Sequence, residues 1–122
     1  MIEIINKGVV LADKVKFNED VLSKLKGLMF SRPLKRGEAL VLVADQEGIF
    51  ETTLHMFFVF FTIDIVWLDK EYKVVDKKRD VMSFTPLIIP KSSAKYVIEL
   101  PKDTAKYVSI GDVLEFKKIK ED

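Results

Sequence analysis

The chain has 122 residues, with 20 lysines and arginines against 19 aspartates and glutamates, one histidine and no cysteine. The lack of cysteine excludes disulfides, thiolate metal sites and thiol nucleophiles, and one histidine falls short of the ligand set of a catalytic zinc site. A net charge of +1 gives no global field that would draw nucleic acid or an anionic membrane.

A chain of this length is expected to form one domain over residues 1–122 and to bury about 65% of its unfolded surface. Lysine and glutamate are abundant, whereas Asn6, Asn18 and Gln46 are the only side-chain amides, a balance found in hyperthermophile proteins. Met1 to Asn6 has no basic region followed by an apolar segment, so no secretory signal is expected and the cytoplasm is the expected setting.

The first strands are expected at Ile2 to Asn6, Val9 to Leu11 and Val15 to Phe17, with a tight turn at Lys7-Gly8. At Asn18 the period changes. Asn18 is a good N-cap, Glu19 and Asp20 suit a first helical turn, and Phe17 with Leu22 has the spacing of a hydrophobic staple. The spacing predicts a helix over about 19–28, apolar along Val21, Leu22, Leu25 and Leu28 and basic at Lys24 and Lys26, which ends near Gly27 before Pro33.

Ala39 to Ala44 reads as a strand covered on both sides, and Ile49 to Thr53 as its returning neighbour. The stretch from Thr53 to Asp69 is the most apolar part of the chain and carries the only tryptophan and histidine. It is too short for a membrane span, which needs about 20 apolar residues, and Asp64 would be costly in mid-bilayer. Phe57, Val59, Phe61, Ile63, Ile65 and Trp67 share one parity, as on one face of a strand.

A hairpin is expected from Ile63 to Asp76 around Asp69-Lys70-Glu71. Ser83 to Pro90 suggests an extended edge or a loop over the core. A strand from Ala94 to Leu100, a helical turn at about 102–107 and a last strand from Val113 to Ile119 complete the chain. The fold class that follows is mainly β, or α+β by strict count. Its form is an antiparallel barrel or sandwich, with the helix packed over one opening.

Three blocks then look familiar together. They are Gly27-Leu28-Met29-Phe30; His55-Met56 with Ile63 to Asp69 after a gap; and Tyr96-Val97-Ile98-Glu99-Leu100-Pro101 with Gly111-Asp112. In order and spacing they resemble the family catalogued as domain of unknown function 192. The chain has His55 where many members carry tryptophan, and Phe57-Phe58-Val59 where many are polar, which resembles an archaeal branch. The resemblance implies a compact β-rich, barrel-like fold. It brings no assigned activity with it, nor the periplasmic setting of members that carry an export signal.

Asp64 is the foremost candidate, because a carboxylate within an apolar strand must be paired, hydrogen-bonded or protonated. It either accepts bonds from backbone N–H groups of the loop around Gly27 to Phe30, serves as a general acid, base or hard-metal ligand, or meets water at an edge. His55 either pairs with Asp64 or donates to a carbonyl in the core. Met29 and Met56, among phenylalanines, line an adaptable apolar pocket or fill core. Arg32 guards the mouth of such a pocket or forms an ion pair with Glu99.

The leading expectation is a non-catalytic cytoplasmic β-barrel that binds an unknown small molecule or protein at an opening near Met29, Arg32, His55, Met56 and Asp64. The alternative is a small-molecule enzyme using Asp64 and His55 in acid–base chemistry. No cofactor, metal, nucleic acid or membrane is expected. Lys77-Lys78-Arg79 and Lys117-Lys118 read as solvated faces rather than phosphate sites. The sequence does not decide between monomer and homodimer.

Overall fold

The computed structural model describes residues 1–20, 24 and 26–119. Strands β1 (Ile2–Asn6) and β2 (Val9–Ala12) form a hairpin whose turn residues Lys7 and Gly8 both take positive φ, 51° and 79°. That pairing of left-handed residues twists a two-residue turn the way its strands twist. The last strand, β8 (Glu115–Lys118), pairs antiparallel with β1 to complete a three-stranded sheet.

The second sheet has five strands. From edge to edge it runs β3 (Lys14–Asn18), β4 (Glu38–Gly48), β7 (Ala94–Pro101), β5 (Ile63–Leu68) and β6 (Val74–Val81). Four of these strands are joined antiparallel, but β3 lies parallel to β4, with Lys14 opposite Glu38 and Asn18 opposite Leu42. The sheet is therefore mixed, because residues 19–37 return the chain to the start of β4 rather than turning it back at once. The two sheets do not close into a barrel, and the mainly β fold takes the sandwich-like form of the two expected.

Every residue of β5 is buried, which follows from apolar cover on both faces of the larger sheet. On one face Ile63, Ile65 and Trp67 pack with Leu40, Leu42, Val97, Leu28, Met56 and Val59. On the other, Val66 and Leu68 pack with Val41, Ile98, Leu100, Ile4 and Leu114. Burying each such side chain stabilises by roughly 1.5–3 kcal/mol before entropy is counted. Trp67 is oriented by its indole N–H, which donates to the Thr52 carbonyl at 2.8 Å.

The β5–β6 hairpin is as expected, its turn held by Asp69 Oδ1, which accepts from the backbone N–H of Glu71 at 2.9 Å and of Lys73 at 3.0 Å. The segment Ser83 to Pro90 lies over the core through an antiparallel bridge between Ile88 and Leu54. The helical turn falls at Thr104–Tyr107.

Two expected strands are corrected. Phe50–Thr52 is a 3-10 turn rather than part of a returning strand, since β4 itself continues to Gly48. Phe57 to Phe61 is a loop: Val59 N–H turns back onto Met56 O at 3.2 Å, and Phe58 has φ of 57°. The backbone of Leu54 and Met56 bonds instead to Ile88 and Thr85, so the strand begins only at Ile63.

Of the expected helix, Lys24 and Lys26 are helical, and the Lys24 N–H reaches Asp20 O at 3.1 Å. Val21, Leu22 and Leu25, and with them the proposed staple, lie outside the described residues. The chain leaves the helical turn at Gly27, whose φ of +46° suits glycine.

Candidate functional site

Asp64 is fully buried, and both of its oxygens are occupied. Oδ1 accepts from the Asp80 backbone N–H at 3.0 Å and Oδ2 from the Ala105 N–H at 2.9 Å. Of the readings open in the sequence, the geometry takes the backbone-anchored one, with different donors: the edge strand β6 and the 3-10 turn rather than the Gly27 to Phe30 loop. Asp64 lies on the Val66 and Leu68 side of the sheet, the side on which Ala105 packs. Asp76 is satisfied in the same way, by the N–H groups of Lys77 and Lys91 at 2.8 and 2.9 Å.

A third buried acid has no such arrangement. Glu99 on β7 stands opposite Leu40 on one neighbouring strand and Ile65 on the other, so its same-face neighbours are apolar. It is 6% exposed, and among the described residues nothing hydrogen-bonds its carboxyl. Burial pushes the group up to about 7 from the usual carboxylate range. It lies beneath the Gly27 turn, where a methyl group on Gly27 would come within 3.6 Å of Oε1.

Glu99 lines a cleft of about 90 Å³ together with Lys24, Lys26, Gly27, Met29 and His55, with Leu28, Leu42, Leu54 and Val59 as apolar walls. Lys24, Leu42, Thr53 and Leu54 are shared with an adjoining, wider cleft of about 280 Å³. His55 Nδ1 accepts from the Phe57 N–H at 3.1 Å, which leaves Nε2 for another partner. Lys24 forms an ion pair with exposed Asp45 at 3.4 Å, whereas Lys26 has no partner among the described residues. No three histidine, aspartate or glutamate side chains converge as a metal site among the described residues.

The expected residues therefore separate. Met29 and His55 come together in the cleft. Met56 is buried in the core and does not line the cleft. Its backbone ties its own loop to the Phe84-Thr85 segment, accepting from Val59 and Phe84 and donating to Thr85. Arg32 is held elsewhere by Glu38, through two bonds of 2.8 and 2.7 Å. That bidentate contact lowers the Glu38 carboxyl to about 2. Asp64 lies across the sheet from His55, so the two do not form an acid–base pair. In the sequence Glu99 stands out only as an ion-pair partner for Arg32. The available signal was an acid set between Ile98 and Leu100 in an apolar run.

Above these loops lies a group of exposed rings. Phe30 stacks on Phe58 at 4.9 Å, and Phe84 packs edge-on against Phe58 at 6.2 Å and Phe60 at 5.3 Å. The Phe30 N–H bonds Phe58 O at 2.8 Å, which locks the Gly27 turn to the loop after His55. Phe30, Phe58 and Phe84 take φ of 58°, 57° and 63°, a region that bulky side chains rarely adopt.

Comparison with other proteins adds a family and a fold. The profile of the family DUF192, described as "Uncharacterized ACR", matches residues 3–116. A UPF0127 protein of Pyrococcus abyssi is 36% identical over 115 residues, covering 91% of this chain and 92% of that one. A UPF0127 protein of Thermococcus sibiricus is 33% identical, covering 91% of this chain and 71% of its own. Among solved structures, a candidate transcription regulator of Sinorhizobium meliloti superposes with a TM-score of 0.82 at 19% identity, over 94% of this chain and 91% of its own. At that identity the likeness is one of fold alone.

Proposed function

The chain belongs to the domain of unknown function 192 family, and on that premise we propose that it binds a small molecule, without turning it over, in the cleft bounded by the Gly27 turn, His55 and Glu99. The observation that carries this reading is the Glu99 carboxyl, buried against Leu40 and Ile65 and bonded to no described residue. Its oxygens open onto the cleft, so a ligand donor placed against them replaces water with a charge-assisted hydrogen bond in an otherwise apolar setting. Met29 supplies a deformable wall and His55 Nε2 a second polar contact, while Met56 belongs to the core rather than the cleft. Arg32 and Asp64 stand outside the site.

The acid–base alternative loses its geometric basis once Asp64 and His55 lie on opposite sides of the sheet. No helix among the described residues is long and apolar enough to cross a membrane. A cytoplasmic setting is part of the proposal, checked by fractionating cells.

The test of the binding reading is a thermal-shift screen against a metabolite library, since a compound that binds only the folded state raises Tm. Compounds that stabilise the parent and lose their effect in a folded Glu99→Gln variant support the reading. A library that shifts nothing counts against it.

A further inference from the structure

We propose, resting on the reading that this cleft binds a small molecule, that its ligand is amphoteric and of α-amino-acid type, with the ammonium group against Glu99 and the carboxylate at Lys26. The argument starts from the contrast among the buried acids. Asp64 and Asp76 each take two backbone N–H donors. Glu99 takes none from the described residues; it is buried in the sheet like them, but its carboxyl opens onto a cleft. Its oxygens meet water in the cleft, and a cationic ligand donor that displaces this water offsets more of the desolvation cost than a neutral one.

Charge at the mouth decides the other end of the ligand. Lys26 is exposed and unpartnered among the described residues, and Lys24 is only loosely held by Asp45 at 3.4 Å. A simple amine would meet Glu99 favourably but would leave Lys26 unmatched, whereas Lys24 already has Asp45 beside it. A simple carboxylate would be drawn to the lysines and repelled by Glu99 once that group ionises. A molecule carrying both charges satisfies both ends, and Met29, Leu28 and Val59 offer apolar surface for its side chain. The small cleft of about 90 Å³ suits the charged head, and the adjoining one of about 280 Å³ has room for a longer body. Because burial sets Glu99 near 7, an ammonium bound against it lowers that value and releases a proton.

The experiment titrates the full chain at pH 7 with the twenty common amino acids, and with three fragments of leucine: isopentylamine, 4-methylpentanoate and isopentanol. Thermal shift and calorimetry are the readouts. At least one amino acid is expected to bind tenfold or more tighter than any fragment. Glu99→Gln should weaken it at least tenfold, and Lys26→Ala should narrow its advantage over isopentylamine. The heat of binding should change between phosphate and Tris buffers, as proton release requires.

A fragment that binds as well as every amino acid, or an amino acid that binds Glu99→Gln undiminished, overturns the assignment. If library compounds of another class bind while the amino acids do not, the small-molecule reading stands and this assignment falls. If neither the amino acids nor the library binds, both fall. Circular dichroism of Glu99→Gln and Lys26→Ala separates lost binding from lost folding.

Discussion

Asp64 and Glu99 are buried acids on adjacent strands of one sheet, and they point to opposite faces of it. Asp64 is met by the N–H groups of Asp80 and Ala105, so its charge serves to fix the edge strand and the Thr104–Tyr107 turn against the sheet. Glu99 is met by leucine and isoleucine, and beyond them by a cleft. The same side-chain chemistry is a structural anchor where backbone donors surround it and a vacant acceptor where they do not. The difference lies in which backbone segments cross each face.

The largest expected effect tests the anchored side. Asp64→Ala strands the buried Ala105 N–H and the partly buried Asp80 N–H, and hydrogen bonds to a charged acceptor contribute about 1.5–3 kcal/mol each. A loss of about 4 kcal/mol in urea unfolding is expected, with Asp64→Asn intermediate because it retains one acceptor oxygen. A cost below about 1 kcal/mol would mean that the anchor role assigned to Asp64 is wrong.

Breaking the comparison from the other side calls for a pH series. With its folded value raised to about 7 from 4.5, Glu99 binds more protons folded than unfolded between those limits. Stability from this group is therefore fully present below about pH 4.5 and falls as pH rises through 7, by an amount on the order of 3 kcal/mol. Glu99→Gln should flatten that fall and leave the variant more stable than the parent at pH 8. Equal pH slopes in the two proteins would remove the case for an unpartnered carboxyl.

Gly27 sharpens the comparison further, since it roofs the cleft without contributing to the anchor. Gly27→Ala places a methyl group 3.6 Å from Glu99 Oε1, ordinary contact, so its cost comes from the φ of +46° rather than from a clash. That cost is about 1 kcal/mol. A compound seated against Glu99 should bind this variant more weakly than the loss of stability alone explains. Unchanged binding would put the site away from the turn.

How far these features were legible in the sequence depended on whether local pattern or distant pairing decided them. The β1–β2 turn at Lys7-Gly8 was legible because glycine suits its left-handed backbone, and the β5–β6 hairpin because Asp69 satisfies its own turn. Phe57 to Phe61 was misread as strand because alternating apolar residues look the same whether a strand continues or a loop turns its rings outward. What decided it was the bonding of Leu54 and Met56 to a segment 30 residues away. The parallel placement of β3 against β4 is likewise a long-range choice. The sequence marks Asp64 as an acid that needs partners in an apolar strand, yet its donors lie 16 and 41 residues along the chain, beyond any local pattern. Glu99 was passed over for the converse reason: its significance lies in the donors that do not reach it.

The smallest expected effect concerns the exposed rings beside the cleft. Phe60 is 61% exposed, and its contacts are with Phe84 and Phe30, themselves at the surface. Phe60→Ser removes an edge-on aromatic contact of about 0.5–1.5 kcal/mol while relieving exposed apolar area, so a net loss under about 1 kcal/mol is expected in urea unfolding. A loss approaching that of Asp64→Ala would make the rings part of the folding core. A near-neutral result would mean that they add little to folding, although three neighbouring phenylalanines are held in left-handed backbone that costs roughly 1 kcal/mol each. Strain without a return in stability is tolerated where a surface has another use. Here that surface adjoins the cleft, through the Phe30–Phe58 backbone bond that ties the Gly27 turn to the loop after His55.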